Sequence, residues 1–496
     1  MTDPRGAQVR ARLAEEIARP AAQPVVLGAL VLLTRLPGLV SSKLINADEA
    51  TLSIGGRELA NGGSLYVGVI DRKPPLPFGV YALFGTADLR PVRFVIALAI
   101  FASALVVASE ARRRWGSKAS WVAGIVLVLG ASALGARDAQ AANFELFALA
   151  PITVSVVAAA RGRAALAGAA LAIAVLCKQP AAVTVLPVAW SWWQTRRWRG
   201  VSVGLAAGAV TGVALTIPFG FANVAEWSLL GTGGYLGMSA SDVGFALTRL
   251  AALLALAVGF WGGAWLLAAA PRSVRTRRDE PDPGGPDADL WLLLGGSLLG
   301  AVAGFRFFPH YLVQLLPALA LLAGRGIVRR PGWGRAALAW GVTASLVAAG
   351  LAWSSALAAE PAYASKLGAY ARANSEAGQK ILVWGNVPEI YWRAHRQPAG
   401  GFTHSEFFTG YSGGRRHRLS SEANLPDREL YRSWIRRLRA DPPVLIFDSA
   451  AAGLRGGELF PLAGFDSLAD LVHERYERLA TIDHVPVYRL KGSAVP

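Results

Sequence analysis

Between Asn46 and Pro75 the sequence sets a paired acid, Asp48-Glu49, ahead of the run Asp71-Arg72-Lys73-Pro74-Pro75. A carboxylate in such a segment can accept a proton, and the cations can hold a phosphate. Long apolar segments lie on either side, one ending near Val40 and the next taking over near Leu76. A polar loop tied to a membrane at both ends is placed to work on a substrate that is itself half lipid.

Further polar residues stand at the ends of other apolar runs. Arg137, Asp138, Asn143 and Glu145 form one set, Lys178 and Gln179 a second, and Arg306 and His310 a third. A charge at the bilayer centre costs about 2.5–3.5 kcal/mol or more, so ionisable residues near spans usually face a cavity or a partner. With Asp48, Glu49, Asp71 and Lys73 these residues point to one shared polar cavity at the membrane boundary. The bland alternative is that loop ends are simply polar.

Each residue has a structural reading beside the chemical one. Asn46-Ala47-Asp48-Glu49 has the spacing of a capping box, which predicts a helix from Ala47 to about Asn61, stopped by Gly62-Gly63. Glu49 is then a capping residue or a catalytic one. Asp48 falls in the first turn, where the helix dipole favours its ionised form; a proton acceptor must be ionised as well. Lys73 precedes two prolines that fix where it points. It either snorkels to headgroups or binds a phosphate. Arg306-Phe307-Phe308-Pro309-His310-Tyr311 puts a cation and an imidazole beside a span entry. The histidines form no HxxxH or HxH pair, so a dedicated zinc site is not expected, and no cofactor is firmly implied beyond the option of a divalent cation. No glycine-rich loop leads into a helix with a lysine, so a nucleotide is not the expected donor. Gly231-Thr232-Gly233-Gly234 is too weak a motif to change that.

These residues need elements to hold them. The chain has 496 residues, 53% of them hydrophobic and only 17% charged, which describes a polytopic membrane protein rather than a soluble one. Eleven or so spans are predicted, at about 23–40, 76–109 (long or broken), 118–135, 143–160, 163–177, 180–194, 201–219, 245–270, 289–305, 310–325 and 335–358. Two of them, flanking Lys178, are about 15 residues or about 22 Å long, short of the hydrocarbon thickness, so Lys178-Gln179-Pro180 is expected to dip toward the cavity. The net charge of +17 is carried by arginine clusters between apolar runs, better matched to membrane orientation than to nucleic acid. With Arg5, Arg10, Arg12 and Arg19 inside, alternation also puts inside Arg112–Arg114, Arg161 and Arg163, Arg196 to Arg199, Arg272 to Arg278, and Arg325 to Arg335. The N-terminus is thus expected in the cytoplasm and the C-terminal segment outside. No cleavable signal peptide is read, and the single Cys177 excludes an intrachain disulfide. Heavy use of Ala, Gly, Arg and Val points to a GC-rich bacterial genome.

The predicted organisation is a cytoplasmic arm over 1–22, a membrane domain over 23–358 with the polar first outer loop at 41–75, and an extracytoplasmic α/β domain over 359–496. In the last, strand-like Lys380–Trp384 and Val444–Phe447 alternate with helical stretches such as Asp427 to Arg439. The Pro- and Asp-rich segment from Asp279 to Asp289 reads as a cytoplasmic loop.

On these residues the chain resembles the GT-C membrane glycosyltransferases. Within them it looks like the protein O-mannosyltransferase and aminoarabinose-transferase superfamily, as a bacterial member. The resemblance is carried by Asp48-Glu49, by Gly62-Gly63-Ser64-Leu65-Tyr66, by Asp71-Arg72-Lys73-Pro74-Pro75 and the run on to Tyr81, and by Asn143-Phe144-Glu145, Lys178-Gln179 and Arg306 to Tyr311. It implies a GT-C fold and transfer of a sugar, with inversion, from a polyprenyl phosphate to an acceptor outside the cytoplasm. It maps the catalytic base onto Asp48 and the donor-phosphate lysine onto Lys73. One departure is Arg72, where the aminoarabinose transferases have an acid before that lysine; this weighs against aminoarabinose and lipid A as substrates.

The expected reaction is sugar transfer to an envelope glycan, lipid or protein at the outer face of the cytoplasmic membrane. Asp48 and Glu49 are the catalytic candidates. Lys73, Arg72, Arg306 and His310 are the candidates for the donor phosphate. Asp71, Asp138, Asn143, Glu145, Lys178, Gln179, Tyr66 and Tyr311 are the candidates for the cavity lining. Trp384, Tyr391 and Trp392 either cover the site, bind a glycan or are core. Two rival readings are a transporter or flippase for a lipid-linked glycan and a non-enzymatic envelope assembly protein.

Overall fold

The computed structural model describes residues 21–41, 43–194, 198–231, 242–271, 287–358, 360–411, 413 and 419–493. The N-terminal arm up to residue 20, the Asp279–Pro286 stretch, all four arginines at 272–278 and the Gly231–Gly234 motif beyond Gly231 lie outside the described residues. The first two thirds of the chain is a helical bundle and the last third holds a mixed sheet with helices around it.

In order, the bundle runs α1 (Ala22–Val40), α2 (Ala47–Ala60), α3 (Pro75–Phe84), α4 (Arg90–Trp115), α5 (Ser117–Ala131), α6 (Phe144–Ala160), α7 (Ala164–Cys177), α8 (Val185–Gln194), α9 (Trp198–Thr216), α10 (Val243–Ala268), α11 (Ala288–Val302), α12 (Leu316–Arg329) and α13 (Gly334–Leu357). Among the described residues six stretches are long and apolar enough to cross a membrane: Ala22–Val40, Arg90–Trp115, Arg199–Phe219, Val243–Ala268, Pro309–Arg329 and Pro331–Leu357. The segment expected as one span at 76–109 is two helices. Gly85 ends the first, and Asp88 accepts from Arg90 N at 3.0 Å to start the second. Gly116 turns α4 back onto α5 with φ +87, a conformation that only glycine adopts without strain. Helices α7 and α9 cross with backbones touching, since a Cβ on Gly168 would lie 1.9 Å from the Gly204 carbonyl oxygen.

The predicted helix after Asn46 is α2, and Asn46 Oδ1 caps it by accepting from Asp48 N (2.7 Å) and Glu49 N (3.2 Å). The other half of the expected capping box is replaced. Glu49 turns away to Arg93 of α4, accepting from its Nε at 2.8 Å and Nη2 at 2.6 Å, and also accepts from Ala142 N at 2.8 Å. Arg93 donates in addition to the carbonyls of Gly38 (2.9 Å), Ser41 (3.1 Å) and Leu44. Both side chains are about 1% exposed. One buried pair thus fastens α1, the start of the loop, α2, α4 and the second loop together.

At the other end of α4, Glu110 is fully buried and accepts from Arg113, Arg114 and Arg161, while Arg114 also pairs with Asp289 at 2.5 Å. Asp287 holds Arg325 and Arg329. Arginines that charge patterning assigns to one side are thus held in two clusters, one on Glu110 and Asp289 and one on Asp287.

The C-terminal part begins with α14 (Ala362–Ala373). Strands β1 (Ile381–Trp384), β2 (Leu445–Asp448), β3 (Tyr476–Ile482) and β4 (Val485–Leu490) form a sheet in the order β1-β2-β4-β3. The pair β1–β2 is parallel and the others are antiparallel. Helices α15 (Glu389–Ala394), α16 (Arg428–Ala440) and α17 (Asp466–Arg475) pack around it. Asp427 caps α16, whose Tyr431, Trp434, Ile435 and Leu438 are buried at helical spacing. Trp384 stacks on Trp434 at 6.0 Å, and Tyr391 accepts from Val383 N at 2.8 Å. Trp384 and Tyr391 are fully buried and Trp392 is 5% exposed, which makes all three core rather than a glycan platform.

Removing one partner of a buried pair leaves an uncompensated charge. Arg93→Met is therefore expected to cost about 3–5 kcal/mol, seen as a lowered thermal midpoint or loss of folded protein in detergent. Lys380→Ala, which breaks the exposed pair with Asp441, is expected to cost at most about 1 kcal/mol.

Candidate active site

The loop after α2 returns to the helix start and lays Lys73 against Asp48. Lys73 Nζ lies 2.6 Å from Asp48 Oδ1 and 4.0 Å from Asp71 Oδ2. The lysine is aimed by its own backbone. Its N–H donates to Asp71 Oδ1 at 3.1 Å, its carbonyl accepts from Tyr66 Oη at 2.7 Å, and Pro74 and Pro75 follow in the start of α3. Tyr66 itself has φ +69, a conformation costly for a bulky residue and typical of sites where the surroundings impose it.

The neighbouring elements bring in the other expected residues. Asn46 Nδ2 donates to Asp138 Oδ1 at 2.9 Å, and His310 Nδ1 sits 2.7 Å from Asp138 Oδ2. The His310 Nε2 is 3.9 Å from Glu145, which pairs with Lys178 Nζ at 2.8 Å. The extended residue Lys178 ends α7, and a 3-10 turn over Gln179–Thr184 follows. Lys73 and Lys178 approach the Phe144 ring at 5.0 and 5.7 Å, and Lys178 lies 4.8 Å from the Tyr311 ring, arrangements that attract a cation to an aromatic face. Residues of the first three loops thus converge on the start of the Pro309–Leu315 turn. Asp48 and Lys73 remain 27% and 29% exposed, so both stay open to a ligand.

Other candidates turn out to hold the loop instead of lining open space. Glu49 is consumed by Arg93, which excludes it as a base. Gln179 Nε2 donates to the carbonyls of Arg72 (2.9 Å) and Ser228 (3.0 Å), and Asn143 Nδ2 donates to the Asp138 carbonyl at 3.1 Å. Tyr66 and Asp71, 2% and 4% exposed, are committed to Lys73. Arg306 is buried, donates to Gly413 O at 3.2 Å and sits between Phe305 and Phe307, both at positive φ.

Two groups come from a part of the chain that motif reading did not connect to the loop. Thr51, one turn after Asp48, is 2.8 Å from His404 Nε2. Arg72 reaches Glu406 at 3.4 Å and lies 4.1 Å over the Phe407 ring. Ile70 N donates to Gly401 O at 2.8 Å, joining the loop to the C-terminal part by a backbone bridge. The available signal was a histidine and an acid amid aromatics, Phe402-Thr403-His404-Ser405-Glu406-Phe407-Phe408.

Electrostatics follow the geometry. Burial alone would raise the Asp48 carboxyl, but Lys73, His310 and Lys178 outweigh it and hold the group well below the usual carboxylate range. Burial would lower the Lys73 ammonium, yet Asp48 and Asp71 push it above the ordinary lysine value. Burial, with Lys73 adding to it, pushes the His404 imidazole down to about 3, so it is neutral at pH 7. Asp48, Glu145 and Asp138 each face their own cation, Lys73, Lys178 and His310. Among the described residues no group of three or more His, Cys, Asp or Glu converges as metal ligands would. A donor set already matched by side-chain cations does not fit a divalent ion.

A depressed Asp48 contributes stability that is present above its unfolded pKa of about 3.9 and is lost as pH falls toward its folded value. In Lys73→Met, burial acts without its counterweight and Asp48 rises. The acidic limb of any Asp48-dependent rate is then expected to move to higher pH, and carboxyl-carbon NMR titration of Asp48 checks it directly.

No family model matches the chain, and no curated protein matches it by sequence. Solved structures do match by shape. The crystal structure of ArnT from Cupriavidus metallidurans bound to undecaprenyl phosphate superposes with a TM-score of 0.61 at 14% identity, covering 96% of this chain and 100% of that one. The apo form of the same protein gives 0.58 at 14% identity, over 94% and 97%. The oligosaccharyltransferase from Archaeoglobus fulgidus in complex with Zn and sulfate gives 0.54 at 12% identity, over 92% and 71%. A match that runs nearly the whole length, through bundle and C-terminal sheet alike, gives this chain the fold of the GT-C glycosyltransferases.

Proposed function

We propose that this protein is an inverting membrane glycosyltransferase. It moves a sugar from a polyprenyl-phosphate donor to an envelope acceptor at the outer face of the cytoplasmic membrane. The helices number about eleven spans, with the N-terminus inside and the C-terminal domain outside. The observation that carries this reading is the Asp48–Lys73 pair, an ionised acid and a cation held together on a capped helix at the mouth of the outer loops. The fold supports it, and so does the undecaprenyl phosphate bound by the ArnT structure.

The acceptor hydroxyl gives its proton to Asp48 while its oxygen bonds to the sugar C1. The bond from C1 to the phosphate oxygen breaks on the opposite side, and the polyprenyl phosphate leaves with the electron pair. A positioned base of this kind contributes about 10²–10⁴-fold. Lys73 stabilises the leaving phosphate, an electrostatic term that is often the largest, while Arg306 is turned to Gly413 and His310 to Asp138. Arg72 is engaged by Glu406 and Phe407 and serves to hold the loop. Lys73 is paired with Asp48, so a bound phosphate that draws the ammonium to itself also frees the base.

His404 and Glu406 make the C-terminal domain part of the site. Loss of function on deleting it would therefore not distinguish a transferase from an assembly protein. Donor turnover does. With polyprenyl-phosphate sugars presented to purified protein in lipid, wild type is expected to release or transfer sugar from one of them. Asp48→Asn is expected to be at least about 100-fold slower while remaining folded, and Lys73→Ala is expected to lose donor affinity. Full activity in Asp48→Asn would remove Asp48 as the base. If no donor is consumed even with crude envelope acceptors present, the transporter reading takes its place.

A further inference from the structure

A second charged cluster stands at the far end of α2. Arg57 lies in its last turn, nine residues from Asp48 and so about 14 Å along the axis. It is buried, and its Nη2 donates to the carbonyls of Thr86 (3.1 Å) and Trp392 (3.5 Å). Its Nη1 is buried with no acceptor, and so is Trp392 Nε1. Arg372 and Arg396 crowd the same place from the C-terminal domain. Arg372 donates to Arg393 O at 2.7 Å, and Arg396 donates to Ser375 Oγ at 2.9 Å and Ser375 O at 2.5 Å. All of these acceptors are neutral. Carboxylates nearby are already matched, Glu360 by Arg393 at 2.5 Å and Asp88 by Arg90 at 2.7 Å. Among the described residues none pairs with Arg57, Arg372 or Arg396. The strain of the unmatched charge registers on Arg57 itself, pushed down to about 10 by burial and then by Arg372 and Arg396.

Beside this cluster is a cavity of about 210 Å³, lined by Ser41, Ala87, Asp88, Leu89, Arg90, Trp392 and Arg393. It lies where the end of α1, the α3–α4 connection and α15 meet. A water fills about 30 Å³, so the cavity has room for a phosphoryl group with several waters. The cavity is lined by the guanidiniums of Arg90 and Arg393, and Arg57 and Arg372 hold the carbonyls of Trp392 and Arg393 in its wall, so an excess of guanidinium charge surrounds it that a compact anion rich in acceptor oxygens would answer. Guanidinium groups suit phosphate in particular, because their fork matches two of its oxygens.

We propose that this cavity is a phosphate-binding site, distinct from the Asp48 site and independent of the transferase reading. The phosphate comes either from the headgroup of an anionic lipid or from a free phosphate. The first source is close at hand, because Ser41 and Arg90 stand at the ends of α1 and α4, two of the helices able to cross a membrane. Bound there, the phosphate ties the bundle to the C-terminal domain at the opposite end of α2 from the reacting groups.

The test uses the full chain in detergent, carrying Lys73→Ala so that the proposed donor site does not report. Inorganic phosphate is titrated calorimetrically, and retention of phosphatidylglycerol is compared with phosphatidylcholine by native mass spectrometry. One phosphate or one phosphatidylglycerol per chain is expected. Binding should weaken about tenfold in Arg90→Gln and in Arg393→Gln, and stay unchanged in Arg436→Gln on the remote α16. Arg90 is half exposed, so its variant is expected to fold even where Arg57→Gln does not. Retention of phosphatidylglycerol that inorganic phosphate fails to displace identifies the lipid as the source, and binding of phosphate without lipid preference identifies the soluble ion. The proposal is overturned if neither probe binds, or if binding survives undiminished in both arginine variants.

Discussion

The buried pair of Glu49 and Arg93 is the constraint on which the site depends. An isolated carboxylate and guanidinium taken out of water would be prohibitive. Here the guanidinium spends its donors on one carboxylate and three carbonyls, and the carboxylate also takes the Ala142 amide. Such a pair is weak evidence for net stability, since apolar substitutes can do as well. Its contribution is registry. It fixes where α2 begins, hence where Asn46 caps it, hence where Asp48 stands relative to Lys73 and Asp138.

From that fixed point charges alternate outward. Lys73 answers Asp48, His310 answers Asp138, and Lys178 answers Glu145. Each acid of the site is thus matched by a cation of its own. The C-terminal domain takes part in this, because Glu406 restrains Arg72 and His404 leans on Thr51 one turn from Asp48.

Much of this was legible from local signals. Asn46 and the Gly62-Gly63 pair delimit a helix that ends within a residue of the expected place. Paired prolines mark Lys73 as aimed, and the strands at Ile381 and Leu445 follow their β-branched and aromatic runs. What could not be read is long-range pairing. Glu49 satisfies a capping pattern, but it pairs with Arg93 because a carboxylate buried there needs a matching cation, which the Asn46 backbone amide does not supply. Thr51 and His404 are separated by 353 positions, and no periodicity connects them. The break inside 76–109 was hidden because both halves are apolar, and only Gly85 and the Asp88 cap divide them.

Helix α4 carries fixed charges near both its ends. Arg93 and Glu110 are 17 residues apart, about 26 Å along the axis, and each is locked into several partners. Between them the helix is apolar. Read as a span, α4 is a ruler with two pins, set slightly shorter than a typical hydrocarbon core of about 30 Å. Neither pin can snorkel or slide without breaking a buried network, so the protein has little freedom to meet a thicker bilayer by adjusting its side chains. Hydrophobic mismatch must then be absorbed by the lipid, which thins around the protein. Local thinning would draw the headgroups of both leaflets closer to the two pinned ends of α4.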